Sequence, residues 1–142
     1  MKYWYMQIKT NDRSFFVFDL DDTLFPEIHF LQSAYRHIAA KLQALTEENI
    51  YEEMIRRYQA RENVFQWIAG RYEAKQAFIT TGWLLDEYRN HLPAILLNKA
   101  AAAFLERART LGVRAGLITD GRSVTQRNKL KALGMEDYFA DM

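Results

Sequence analysis

Ten consecutive residues constrain this chain more than any others: Phe16-Val17-Phe18-Asp19-Leu20-Asp21-Asp22-Thr23-Leu24-Phe25. A short apolar run ended by polar residues reads as a buried strand of a parallel sheet covered on both faces. This one delivers carboxylates just past its C-terminal end, the edge at which open α/β sheets bind ligands. Three acids crowded there repel one another unless a cation or ligand offsets their charge. The simplest such cation is Mg²⁺, which takes oxygen ligands and often binds through one or two carboxylates plus a substrate phosphate.

The spacing of the acids also fits a mechanism. A carboxylate can attack phosphorus and form an acyl phosphate. A second carboxyl two residues on can protonate the departing oxygen and later activate water, help typically worth about 10²–10⁴ in rate. Asp19 and Asp21 have that relation, and Thr23 is placed to fix the loop by bonding a carboxylate or the main chain. A bare Asp-x-Asp after a strand is often a turn or a helix cap, but the full string here is far more specific than that.

A second buried strand is expected over Val113–Ile118, ended by Thr119. Asp120-Gly121-Arg122-Ser123 then supplies a turn and a cap, and a helix runs from Val124 to Leu133 with Gly134 as its stop. Everything between the strands has helical rather than alternating periodicity. Helices are expected over Glu27–Ala44, from Thr46 as an N-cap through Tyr58, in short pieces at Val64–Ile68 and Glu73–Phe78, and over Trp83–Arg89. A long last helix should open at Pro93 and end at Leu111, stopped by Gly112. Near the N-terminus, Trp4, Met6 and Ile8 alternate with Tyr3, Tyr5 and Gln7, as in a further strand, and Asn11-Asp12-Arg13 can turn the chain into the buried one.

Two strings now carry a family resemblance. Asp19-Leu20-Asp21-Asp22-Thr23-Leu24 resembles the first motif of the haloacid dehalogenase superfamily. Gly116-Leu117-Ile118-Thr119-Asp120-Gly121 resembles its second. Gln126-Arg127-Asn128-Lys129-Leu130 and Leu133-Gly134 resemble the helix that follows in phosphatases of the nucleotidase and phosphoglycolate type. The resemblance runs from Phe15 to Met142. It implies an α/β protein with a partial Rossmann-like core of parallel strands, residues 1–24 and 112–142, and an inserted α-helical bundle cap, residues 25–111. A response-regulator receiver, which also has acids after its first strand, lacks such an insertion.

By the same resemblance Asp19 is the nucleophile and Asp21 the general acid/base of phosphate monoester hydrolysis. Mg²⁺ is held by the Asp19 carboxylate and the Asp21 main-chain carbonyl. Thr119 bonds the phosphoryl oxygens, with main-chain N–H groups at Asp120 and Gly121 assisting, and Thr23 belongs to the same loop. The dehalogenase branch lacks the second acid, so Asp21 points to a small phosphorylated metabolite.

The family's third and fourth motifs, a Lys usually before a Pro and a further acidic segment, have no match. The two prolines, Pro26 and Pro93, precede the second motif, and the chain ends at Met142 where a third core strand is expected to begin. The resemblance thus implies a phosphatase truncated before its site is complete. The alternative is a non-catalytic derivative acting through self-association or partner binding over an exposed sheet edge. Lys129, on the helix after Thr119, is a candidate substitute for the missing lysine but reads more readily as a solvated helix residue, as do Arg56, Arg57 and Arg61, and His29 reads as a helix-surface histidine. His37 and His91 show no ligand spacing, and Phe65, Trp67, Phe78, Trp83 and Tyr88 read as core packing.

The bulk properties agree. A net charge of +1 gives no field to attract nucleic acid or an anionic membrane, and the absence of cysteine excludes disulfides and thiolate metal sites. No apolar run approaches a membrane span, and the first nine residues lack the apolar centre of a signal peptide. A cytoplasmic protein is the expectation.

Overall fold

The structure, a computed structural model, describes residues 15–138. The expected strand at Trp4–Ile8, the turn at Asn11–Arg13 and the chain end at Met142 lie outside the described residues. Two strands, β1 (Phe15–Phe18) and β2 (Arg114–Leu117), pair in parallel, with Phe15 opposite Arg114 and Phe18 opposite Leu117. Five helices separate them: α1 (Glu27–Thr46), α2 (Tyr51–Gln59), α3 (Val64–Tyr72), α4 (Thr81–Asn90) and α5 (Lys99–Thr110). After β2 come α6 (Ser123–Ala132) and a 3-10 turn at Glu136–Tyr138. The protein is therefore a mixed α/β fold, mostly helical, around a parallel pair of strands.

The helix boundaries follow from local chemistry, and several differ from expectation. Thr46 does not cap the second helix. It closes α1, where its hydroxyl donates to the Leu42 carbonyl at 2.7 Å. The expected helix at Glu73–Phe78 is a series of turns. The last helix of the insert opens at Lys99, six residues after Pro93, because Asn98 caps it: Asn98 Oδ1 accepts the Ala101 amide at 2.7 Å. Asn98 is also anchored to the loop after β1. Its amide donates to Leu24 O and its Nδ2 to Thr23 O, both at 2.8 Å. Gly112 and Gly134 do stop α5 and α6, at φ +66 and +67.

One face of the sheet packs on α5, where Phe104 lies edge-on to Phe16 and Phe18 at centroid distances of 5.2 and 5.6 Å. Among the described residues the other face is open. Phe15 is 65% exposed and Val17 48%, so within residues 15–138 only one side of the strands is covered, where their apolar run suggested both.

Burial is concentrated in two clusters. One joins Ile38 and Leu42 of α1 to Met54, Ile68, Tyr72 and Leu84 of the next three helices. The other gathers Leu20, Leu24, Phe25, Phe30, Leu105, Leu117 and Met135 around the strand ends. Each aliphatic or aromatic side chain fully buried in this way contributes roughly 1.5–3 kcal/mol relative to exposure.

A buried polar pair links the clusters. His91 is 5% exposed, and its Nδ1 donates to Tyr88 O at 2.8 Å, since a carbonyl can only accept. Its Nε2 therefore accepts the Ser33 hydroxyl at 3.2 Å, and Ser33 Oγ in turn accepts the Ala94 amide at 2.8 Å. The His37 ring, hydrogen-bonded to Glu87 at 2.8 Å, stands 5.6 Å from the His91 ring. Burial pushes the His91 pKa down and nearby His37 adds to this, while the Tyr88 carbonyl and Glu87 oppose it.

The unfolded chain accordingly takes up this proton first. Stability from a neutral His91 is complete above the ordinary imidazole value and is lost as pH falls through it. Thermal melts at neutral pH and at about pH 5.5 should show a larger loss for the native protein than for His91→Gln. Equal losses would mean that His91 is not the group responsible.

Candidate active site

The site is built where the two strands end. Ile118 N donates to Phe18 O at 2.8 Å, extending the ladder one step, so Asp19 and Thr119 leave neighbouring strand tips. The loop after β1 is shaped by its apolar residues. Leu20, Leu24 and Phe25 are fully buried, which turns the intervening acids outward. Leu24 N closes the turn onto Leu20 O at 2.9 Å. Asp22 takes a left-handed conformation, φ 55, and its Oδ1 accepts the Glu27 amide at 2.8 Å. Asp22 is thus the acid with the capping role, at the positive end of α1.

Asp19 is exposed, and its Oδ1 accepts the Leu20 amide at 2.8 Å. Asp21 is held on both oxygens. Oδ1 receives Lys129 Nζ at 2.6 Å, and Oδ2 receives Gln126 Nε2 at 3.1 Å. The same Gln126 Nε2 donates to Thr119 Oγ1 at 2.6 Å and to Asp120 O at 2.9 Å. Asp21, Thr119 and the Asp120 turn therefore meet around one amide. Among the described residues Asp19 shares no hydrogen bond with that group. Thr23 is exposed, and it fixes the loop with its main-chain carbonyl rather than its hydroxyl.

Gly121 is the residue the turn requires. Its φ is +133, and a Cβ there would stand 3.3 Å from the Gln126 side chain. The glycine lets the amide lie against the turn.

Lys129 corrects the sequence reading. It is 5% exposed, not solvated, and its ammonium lies over the Phe30 ring at 4.6 Å as well as on Asp21. Its charge is satisfied from two sides, by a carboxylate and by an aromatic face. For Asp21 this lysine supplies an offsetting positive charge. In the sequence Gln126 stands out only as part of the helix that resembles the family's. The signal that finds both is the poor apolar content of α6. Ser123-Val124-Thr125-Gln126-Arg127-Asn128-Lys129 has no continuous apolar stripe, so its inward positions, three apart, fall to Gln126 and Lys129.

The remaining positions of α6 fasten it to the insert. Thr125 Oγ1 donates to Arg89 O at 3.0 Å, and Asn128 Nδ2 to Asn90 O at 3.0 Å. Between α4 and the start of α6 lies a cavity of about 310 Å³ lined by Asp86, Arg89, Asn90, Arg122, Ser123 and Thr125.

Acids at the carboxyl end of parallel strands, facing a hydroxyl on the neighbouring strand tip, define an α/β protein with its ligand site at the sheet edge. Comparison with known proteins names the family. A family model described as haloacid dehalogenase-like hydrolase matches residues 15–142, and the chain belongs to that family. It is 31% identical over 139 residues to the glyceraldehyde 3-phosphate phosphatase of Methanocaldococcus jannaschii, an alignment covering 89% of this chain and 59% of that protein. Its fold matches a HAD hydrolase from Bacillus subtilis, solved bound to magnesium, with a TM-score of 0.50 at 18% identity over 87% of this chain and 60% of that one. A haloacid dehalogenase-like hydrolase from Xanthomonas campestris has a TM-score of 0.47 at 16% identity, over 94% of this chain and 63% of that one. The chain spans about three fifths of the length of these relatives.

Proposed function

We propose that the chain carries the nucleophile half of a Mg²⁺-dependent phosphatase acting on small phosphate monoesters. The observation that supports this most is the Gln126 amide, which draws Asp21 and Thr119 of the two motifs onto one donor at 3.1 and 2.6 Å. In this reading residues 1–24 and 112–142 form the core and 25–111 a cap that helps to choose the substrate. The phosphatase named among the relatives supports the substrate class, a small phosphorylated metabolite. A cytoplasmic location is part of the same proposal.

Asp19 attacks phosphorus as the bond to the leaving oxygen breaks, and an aspartyl phosphate forms. Asp21, a carboxylate against Lys129 in the resting structure, takes up a proton before the attack, gives it to the departing oxygen, and then takes one from the water that releases phosphate and restores Asp19. Each carboxylate oxygen of Asp21 has two acceptor sites, so Lys129 and Gln126 leave room for this exchange. The Thr119 hydroxyl and the N–H groups of Asp120 and Gly121 hold the phosphoryl oxygens.

The exposed Asp19 carboxylate and the Asp21 main-chain carbonyl would hold Mg²⁺, which takes oxygen ligands, keeps several waters and needs few protein ligands. Among the described residues no group of three His, Cys, Asp or Glu side chains is placed to hold a metal. When bound, Mg²⁺ offsets the charge shared by Asp19 and the phosphate.

The test is hydrolysis of an aryl phosphate by the chain. Turnover should require Mg²⁺, vanish with a chelator and return when Mg²⁺ is restored. Turnover indifferent to the chelator would refute the reading, and no turnover together with a stable dimer would favour the non-catalytic derivative instead.

A further inference from the structure

We infer that Gln126 is a positioning residue of the phosphoryl-transfer site, fixing the direction of the Thr119 hydroxyl and the pose of Asp21. The inference rests on the phosphatase reading above and extends it to a residue that touches neither the phosphorus nor the metal in that scheme.

Gln126 is 6% exposed, on the second turn of α6. Its amide is oriented by necessity. Asp120 O and the Asp21 carboxylate oxygen can only accept, so the nitrogen and not the oxygen must face them. That nitrogen also reaches Thr119 Oγ1, and an amide nitrogen only donates. Thr119 is therefore the acceptor in this bond, and its own hydroxyl hydrogen is directed elsewhere. A threonine that must donate to a phosphoryl oxygen needs this polarity.

Two hydrogens serve three acceptors from three segments: the loop after β1, the tip of β2 and the turn beyond it. One hydrogen is shared, and the three segments are locked together. The other end of Asp21 is fixed by Lys129, three residues along the same helix face. Gly121 completes the arrangement, because a side chain there would press on the Gln126 amide. Without Gln126 the carboxylate and the hydroxyl keep their strand positions but lose their mutual orientation. Misplacement of catalytic groups by about 1 Å costs roughly 10²-fold.

The experiment is steady-state hydrolysis of an aryl phosphate with Mg²⁺ by the full chain and its variants. Gln126→Met, of similar length and unable to donate, should lower kcat by roughly 10²-fold while KM stays near its native value. Gln126→Glu keeps the shape but sets a carboxylate against Asp21, so it should be the worse of the two. A space-filling role would move neither kcat nor that ranking. In a Thr119→Val background the Gln126→Met effect should shrink, because the hydroxyl that it orients is gone.

Unchanged kcat in a folded Gln126→Met or Gln126→Glu variant overturns the inference and leaves the phosphatase reading standing. So does a full, undiminished effect in the Thr119→Val background. A native chain without turnover overturns the phosphatase reading, and this inference with it.

Discussion

Asp19→Asn should reduce Mg²⁺-dependent hydrolysis of an aryl phosphate by roughly 10³-fold or more, the scale on which loss of a covalent nucleophile is felt. An amide oxygen is a poor nucleophile toward phosphorus and brings no negative charge to the metal. The side chain is exposed at the strand tip, and its one bond among the described residues, from the Leu20 amide to Oδ1, can be kept by the Asn oxygen. Folding should therefore be nearly untouched, since exposed substitutions of this kind usually stay within about 0.5 kcal/mol. Urea unfolding and the activity assay together check this. A large loss of both stability and turnover would mean that Asp19 is structural.

Asp21→Ala should fail in a different way. Turnover should drop by about 10²–10⁴, the usual contribution of a positioned acid and base. Stability should drop as well, by about 3 kcal/mol, because a buried Lys129 is left without its carboxylate. The side chain of Asp21 remains partly open to solvent, which puts the cost at the lower end of the range for broken buried pairs. The reverse change, Lys129→Met, strands a carboxylate that water can reach and should cost less. The double variant Asp21→Ala/Lys129→Met should recover much of the lost stability, since the uncompensated charge has gone. Urea unfolding of the four proteins measures the coupling. If the double variant were as unstable as Asp21→Ala, the pair would not be what holds the lysine in place.

The two predictions draw on different parts of the sequence. The strand tips were legible because their signals are local: a short apolar run, a cluster of acids, then a second run ended by Thr119. The family followed from the same strings. The partners of Asp21 were not legible, because they lie on a helix that begins more than a hundred residues later. A lysine in a polar helix reads as solvated unless it is known that the helix turns this face to Phe25 and Phe30. The start of α5 was misplaced for a related reason. Pro93 is a permitted first residue of a helix, but Asn98 is held by Leu24 and Thr23 of a distant loop, and its cap defines the start. The apolar content of β1 correctly gave a strand in a parallel pair. It could not tell how much of the strand's second face the described residues would cover.

The expectations about turnover depend on Asp19 forming a bond to phosphorus. The direct measurement is mass spectrometry of the chain, quenched in acid during turnover of an aryl phosphate with Mg²⁺. A phosphoryl mass increment should appear on the peptide that contains Asp19, and it should be absent in Asp19→Asn. An increment on another peptide, or turnover that persists without Asp19, would contradict the account.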